Sequence, residues 1–98
     1  MALTYEETAT LMKDETFRGR VGVACVNYAR YITDEVTSTP AHATRYRWAQ
    51  TTLQQPDIAV NQIIPTVVTD SAVQEAGGAA IEDAALQSAV ETAVNKLL

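Results

Sequence analysis

Seven apolar residues, Phe17, Val21, Ala24, Cys25, Tyr28, Ile32 and Val36, recur at steps of three and four, with one adjacent pair. A strand, whose side chains alternate with a period of two, would scatter them over both faces, whereas an α-helix gathers all seven on one. Asp14 stands where an N-cap is needed, its carboxylate able to accept from amides the first turn leaves unpaired. The spacing therefore predicts a helix over Glu15–Val36, about 33 Å long at ~1.5 Å per residue. A rod of that length spans a small domain, so the rest of the chain must pack along it. Gly19 and Gly22 fall near its start, where each costs up to about 1 kcal/mol against alanine. They mark either close approach of another backbone or glycines tolerated near a helix end.

The remaining segments also read as helices. Thr4-Tyr5-Glu6-Glu7 is a capping box, predicting a short helix to about Met12. Thr37-Ser38-Thr39-Pro40 ends the long helix and begins the next, because proline disfavours helix at Thr39 and itself suits the first helical position. A helical hairpin follows, with a third helix over Pro40–Gln54. Tyr46, Ala49 and Leu53 share one face of it, Trp48 lies beside them, and Arg45 and Arg47 point elsewhere. Gln55-Pro56 opens a fourth helix from about Asp57, with Ile63, Ile64, Val67 and Val68 for the core. Pro65 lacks an amide hydrogen and crowds the preceding turn, which predicts a kink or a break there. The β-branched run from Ile63 to Thr69 is the one place where a strand competes.

Asp70-Ser71 caps a short helix to about Ala76, and Gly77-Gly78 ends it. Leu86, Val90, Ala93, Val94 and Leu97 then predict a last helix over Asp83–Leu97, docked on the long one, with Glu82, Asp83, Gln87 and Glu91 towards water. Six aromatics and four glycines in 98 residues favour helices with small contact residues over a barrel or sandwich. The expected fold is all-α, a compact bundle of four to six helices with one long central helix, in a single domain spanning residues 1–98.

No pair of reactive side chains converges in this arrangement. Cys25 and His42 could form a thiol–imidazole nucleophile, but an antiparallel hairpin separates them by roughly 15–20 Å, and Cys25 belongs to the apolar stripe. His42 has Arg45 and Tyr46, not carboxylates, at the spacings a metal site would use. Of the acidic dipeptides, Glu6-Glu7, Asp14-Glu15 and Glu82-Asp83 sit at helix N-termini, where the macrodipole favours anions. Asp34-Glu35 lies at a C-terminus, where it does not, so a compensating cation is expected: Arg30 one turn earlier or an arginine of another chain. Gly77-Gly78 has neither the flanking lysine nor the preceding strand of a phosphate loop. The expectation is no catalysis, no cofactor and no metal. The opening residues contain no apolar secretion signal and no run reaches the ~20 apolar residues of a membrane span, so a soluble chain without membrane contact is expected.

Seven basic and twelve acidic residues give a formal charge of −5, which disfavours nucleic-acid binding through phosphate neutralisation. Residues 1–48 are balanced, whereas residues 49–98 carry Lys96 alone against Asp57, Asp70, Glu75, Glu82, Asp83 and Glu91. Five of the seven basic residues are arginine, which is enriched at protein interfaces where lysine is depleted. The candidate interface set is accordingly Arg18, Arg20, Arg45 and Arg47 against Glu82, Asp83 and Glu91, with Asp34 and Glu35 seeking an arginine.

From Thr16 onward the chain resembles small helical virion structural proteins of tailed bacteriophages. The resemblance rests on Phe17-Arg18-x-Arg20-Val21 and on His42-Ala43-x-Arg45-x-x-Trp48-Ala49-x-x-x-Leu53-x-x-Pro56. It continues through Val67-Val68 to Asp83-x-x-Leu86-Gln87-x-x-Val90-x-x-x-Val94-Asn95. Pro65 departs from the pattern. The resemblance implies a non-enzymatic virion component, a head-to-tail connector or adaptor forming a homo-oligomeric ring between portal and tail. Its partners would be portal, tail or capsid proteins, and it would reside in the host cytoplasm before assembly and in the virion afterwards. A capsid-bound cement or decoration protein and a small cytoplasmic regulatory module are the alternatives.

Overall fold

The computed structural model describes residues 2–35 and 39–98. Six helices follow in order: α1 (Tyr5–Lys13), α2 (Glu15–Asp34), α3 (Pro40–Gln54), α4 (Pro56–Val67), α5 (Ser71–Ala76) and α6 (Asp83–Leu97). No strand occurs among the described residues, so the chain is all-α with one long helix, α2, at its centre. The run from Ile63 to Thr69 is not a strand. Ile63, Ile64, Val67 and Val68 are all buried, and only a helix places residues so spaced on one face.

The helix starts follow their caps. In α1 the Thr4 N–H donates to Glu7 Oε1 at 2.9 Å and the Glu7 N–H donates to Thr4 Oγ1 at 3.1 Å. These bonds, the backbone one foremost, hold the Glu7 carboxyl below its ordinary range. Asp14 Oδ1 accepts from the Phe17 N–H at 2.7 Å and starts α2 one residue after α1 ends. α3 begins with Thr39 accepting from the His42 N–H, and Pro40 takes the first position. Asp70 Oδ1 accepts from the Ala72 N–H at 2.9 Å to start α5.

α2 stops earlier than its stripe suggests. Glu35 is extended (φ −81°, ψ 129°) and its N–H bonds back to Ile32 O, so Asp34 is the last helical residue. Two consecutive carboxylates at the negative end of the macrodipole oppose a further turn. Val36, the seventh residue of the stripe, and the Thr37-Ser38 part of the hairpin turn lie outside the described residues.

α2 supplies the central wall of the core with Phe17, Val21, Ala24, Cys25, Tyr28, Ala29 and Ile32. α3, α4 and α6 all pack on it, and α4 also meets α6. α6 runs parallel to α2, since Arg20 reaches Asp83, Gln87 Nε2 donates to Ala24 O at 3.1 Å and Tyr28 pairs with Asn95. α1 is attached more lightly: Leu11 is its one buried side chain, and the Leu3 N–H donates to Gln74 Oε1 at 2.7 Å. Leu3 and Leu11 close on Gly78, whose φ of +80° favours glycine and where an added Cβ would also stand a tight 3.2 Å from the Leu11 side chain. The radius of gyration is 13.4 Å, close to the ~13 Å of a 100-residue domain, and the buried apolar side chains form one continuous cluster.

Three packing expectations need correction. On α3 the buried residues are Trp48, Ala49 and Thr52, while Tyr46 and Leu53 are each 39% exposed. The helix is turned by about one position because the Trp48 ring packs on Tyr28, centroids 6.0 Å apart, and the largest apolar surface decides the face. On α6, Leu97 is 48% exposed. It belongs to the last helical turn, beyond the Asn95 that pairs with Tyr28. At Pro65 the helix does not break but runs on to Val67. Proline forfeits only its own amide bond, its ring faces outward, and the Val68 N–H closes the turn on Ile64 O at 3.0 Å.

Ile32 is 1% exposed, so Ile32→Ala should cost about 2–5 kcal/mol. Leu97→Ala should cost under ~0.5 kcal/mol. Urea unfolding of the two variants beside the parent chain checks both.

Candidate functional site

The four candidate arginines divide into two pairs. Arg18 turns back into its own chain: Nη1 donates to Met12 O at 2.9 Å and Nη2 to Asn61 Oδ1, so it ties the α1–α2 junction to α4. Arg20 is engaged still more fully, donating to Ala79 O at 2.8 Å, Ile81 O at 2.6 Å and Asp83 Oδ1 at 2.8 Å. These bonds clasp the connection between α5 and α6. Arg20 and Asp83, expected on opposite sides of a contact between chains, are instead each other's partners within one.

Arg45 and Arg47 differ. Both are exposed on α3, and neither guanidinium makes a hydrogen bond or ion pair among the described residues. Among the acids, Glu82 is the exposed N-cap residue of α6 and makes no side-chain capping bond. Glu91 is half-buried on the same helix and Asp34 is exposed at the end of α2. Glu35, expected to look for an arginine, has His42 Nδ1 at 4.0 Å from its Oε2, an ion pair whenever the imidazole is protonated. His42 in turn lies beside Tyr46, ring centroids 6.1 Å apart.

Cys25 is fully buried on the inner face of α2. Burial pushes its thiol up to about 12, so at neutral pH it is a small apolar side chain and no nucleophile. Among the described residues no three His, Cys, Asp or Glu side chains lie close enough together to hold a metal ion. No described helix is long and apolar enough to cross a membrane.

Two features are not anticipated from the residues, one inside the molecule and one on its surface. The Trp48 Nε1–H is buried without a hydrogen-bond partner among the described residues. The outer face of α2 is also left uncovered, with an open groove along each side. One, of about 820 Å³, lies between α2 and α4 and is lined by Glu15, Gly19, Val23, Arg30 and Asp57 among others. The second, of about 420 Å³, lies between α2 and α6 and includes Gly19, Val23, Asn27 and Gln87. The signal was present in the sequence: Gly19, Val23 and Val26 repeat at helical spacing on the side opposite the buried stripe.

No protein-family model, no curated protein and no solved structure matches the chain.

Arg20→Ala should destabilise the chain by about 1–2 kcal/mol, because it strips partners from two loop carbonyls. Asp83→Asn, at a side chain 94% exposed, should cost under ~0.5 kcal/mol; thermal melts of the two variants separate the contributions. Since Cys25 is neutral when folded up to about pH 12 but ionises near 9.0 when exposed, its contribution to stability is complete below pH ~9 and is lost as pH rises towards 12. Iodoacetamide at pH 8 should accordingly leave Cys25 unmodified in the native chain and label it in urea, as intact mass would record.

Proposed function

We propose that this chain is a non-enzymatic structural component of a tailed bacteriophage virion, a head-to-tail connector or adaptor that assembles as a ring between portal and tail. The observation that carries the assembly reading is the position of Arg45 and Arg47. Arg45 and Arg47, two residues apart on α3 and so pointing to different sides of it, stand exposed without partners among the described residues, while Glu82 and Glu91 of the acid-rich half stand at the start and on the length of α6. Such an arrangement lets copies or partner proteins pair opposite charges at distinct surfaces, and head-to-side contacts of that kind close into a ring at a defined rotation. The inert burial of Cys25 and the engagement of Arg18 and Arg20 within the chain support a role without catalysis. The virion assignment itself rests on the sequence motifs from Phe17 to Asn95.

Arg45→Glu with Arg47→Glu should weaken assembly while leaving the isolated chain's melting temperature within a few degrees of the parent, because exposed charges contribute little to monomer stability. Reversal of Glu82 or Glu91 to Lys should restore assembly in part. In purified particles the connector reading expects on the order of a dozen copies, the size of a ring at one vertex. Hundreds of copies following the capsid lattice would instead indicate a cement protein, and absence from particles a cytoplasmic regulator. Particles of normal stoichiometry that lose DNA would show that the arginines contact the genome.

A further inference from the structure

The uncovered face of α2 carries a charge pattern that is complementary to itself. Glu15, Gly19, Gly22, Val23, Val26 and Arg30 all line the groove between α2 and α4, and their steps of three and four keep them along one side of the helix. Val23, at the middle, is 62% exposed. Glu15 at one end and Arg30 at the other have no ion-pair partner among the described residues. Gly19 serves no contact inside the chain, since an added Cβ would meet nothing within 4 Å; at Gly22 it would touch only Val60, at an ordinary 3.6 Å. Neither glycine is needed for packing within one copy.

We infer that this face binds a second copy of the same chain, the two α2 helices lying antiparallel about a two-fold axis between Gly22 and Val23. That register sets Glu15 of each copy against Arg30 of the other, Gly19 against Val26 and Gly22 against Val23. Opposite charges therefore meet at both ends and glycine meets valine at every step between. A two-fold contact uses the same patch on both chains, so one unpaired acid and one unpaired base, equally far from the axis, are both satisfied by a single arrangement. The parallel alternative would place Glu15 against Glu15 and Arg30 against Arg30. Glycines let the helices approach at the near end of the ~8–10 Å packing range, and the grooves beside α2 offer room for the partner's Val23 and Val26. The pairing uses neither Arg45 nor Arg47, so it goes beyond the connector reading and stands apart from it.

Sedimentation equilibrium of the full chain tests the inference. The parent should show a reversible monomer–dimer equilibrium, stronger at low salt. Glu15→Arg alone and Arg30→Glu alone should each weaken it about ten-fold or more, since each change turns two attractions into two repulsions, and the double variant should recover most of the loss. Gly19→Ala should raise the melting temperature of the dilute monomer and yet weaken the dimer, opposite signs that a purely structural role would not give. Val23→Lys, at the exposed centre, should be folded by circular dichroism and monomeric, and gives a second reading if Glu15→Arg disturbs the start of α2. A parent chain that is monomeric at all concentrations, charge reversals without effect, or a double variant that fails to recover would each overturn the inference. So would loss of the dimer in the Arg45→Glu, Arg47→Glu chain, which would place the contact on α3.

Discussion

Burial of the stripe from Phe17 to Ile32 is the interaction on which the other contacts depend. It is too wide for one neighbour to cover: Phe17 and Val21 at the start, Cys25 and Tyr28 in the middle and Ile32 at the end are all buried, and α3, α4 and α6 must converge to exclude water from them. Each fully buried aliphatic or aromatic side chain contributes roughly 1.5–3 kcal/mol, while a small domain's net stability is only about 5–15 kcal/mol. A few positions of α2 thus account for as much free energy as the whole chain retains. The parallel course of α6 follows from the same wall. Once Arg20 reaches Asp83 and Gln87 reaches the Ala24 carbonyl, the register of the two helices is set along much of their length.

The arginines show how a small domain spends its cations. Arg18 and Arg20 join segments far apart in sequence, Met12 with Asn61 and the Ala79–Asp83 connection with α2. Loop carbonyls that no helix can satisfy are thereby given charged donors. Only where a guanidinium is released from that duty, as at Arg45 and Arg47, is it available to another molecule. The charge imbalance between the two halves of the chain is therefore smaller in its outward effect than a residue count suggests, because part of it is already paired within the fold.

Helix existence was legible because caps and breakers are local chemistry. Thr4 with Glu7, Asp14, Thr39-Pro40, Asp70 and Gly77-Gly78 all mark the boundaries they announce. Helix faces were less legible, because a face is chosen by the partner. α3 has several apolar directions, and the tilted packing of Trp48 against Tyr28, not its own periodicity, turns Tyr46 and Leu53 outward. Pro65 shows the same dependence on context: it lacks one amide bond to the preceding turn, but the burial of Ile63, Ile64, Val67 and Val68 around it carries the helix through to Val67 without a break. The interface candidates were read from charge sums that carry no distance, so the Arg20–Asp83 pair, 63 residues apart in sequence, could not be distinguished from a contact between chains. Gly19 and Gly22 hint at a close approach on the outer side of α2, but whether a neighbouring helix of the same chain fills that side depends on where α4 and α6 dock.

Native-state hydrogen exchange measures the central claim directly, that α2 is the wall on which the other helices are assembled. Amides from Val21 to Ala29 should exchange only through global unfolding, with the free energy found by denaturant titration. Those of α1, held chiefly by Leu3 and Leu11, should open locally and much sooner. Exchange of the α2 amides at the rate of α1, or ahead of those in α4 and α6, would contradict the account.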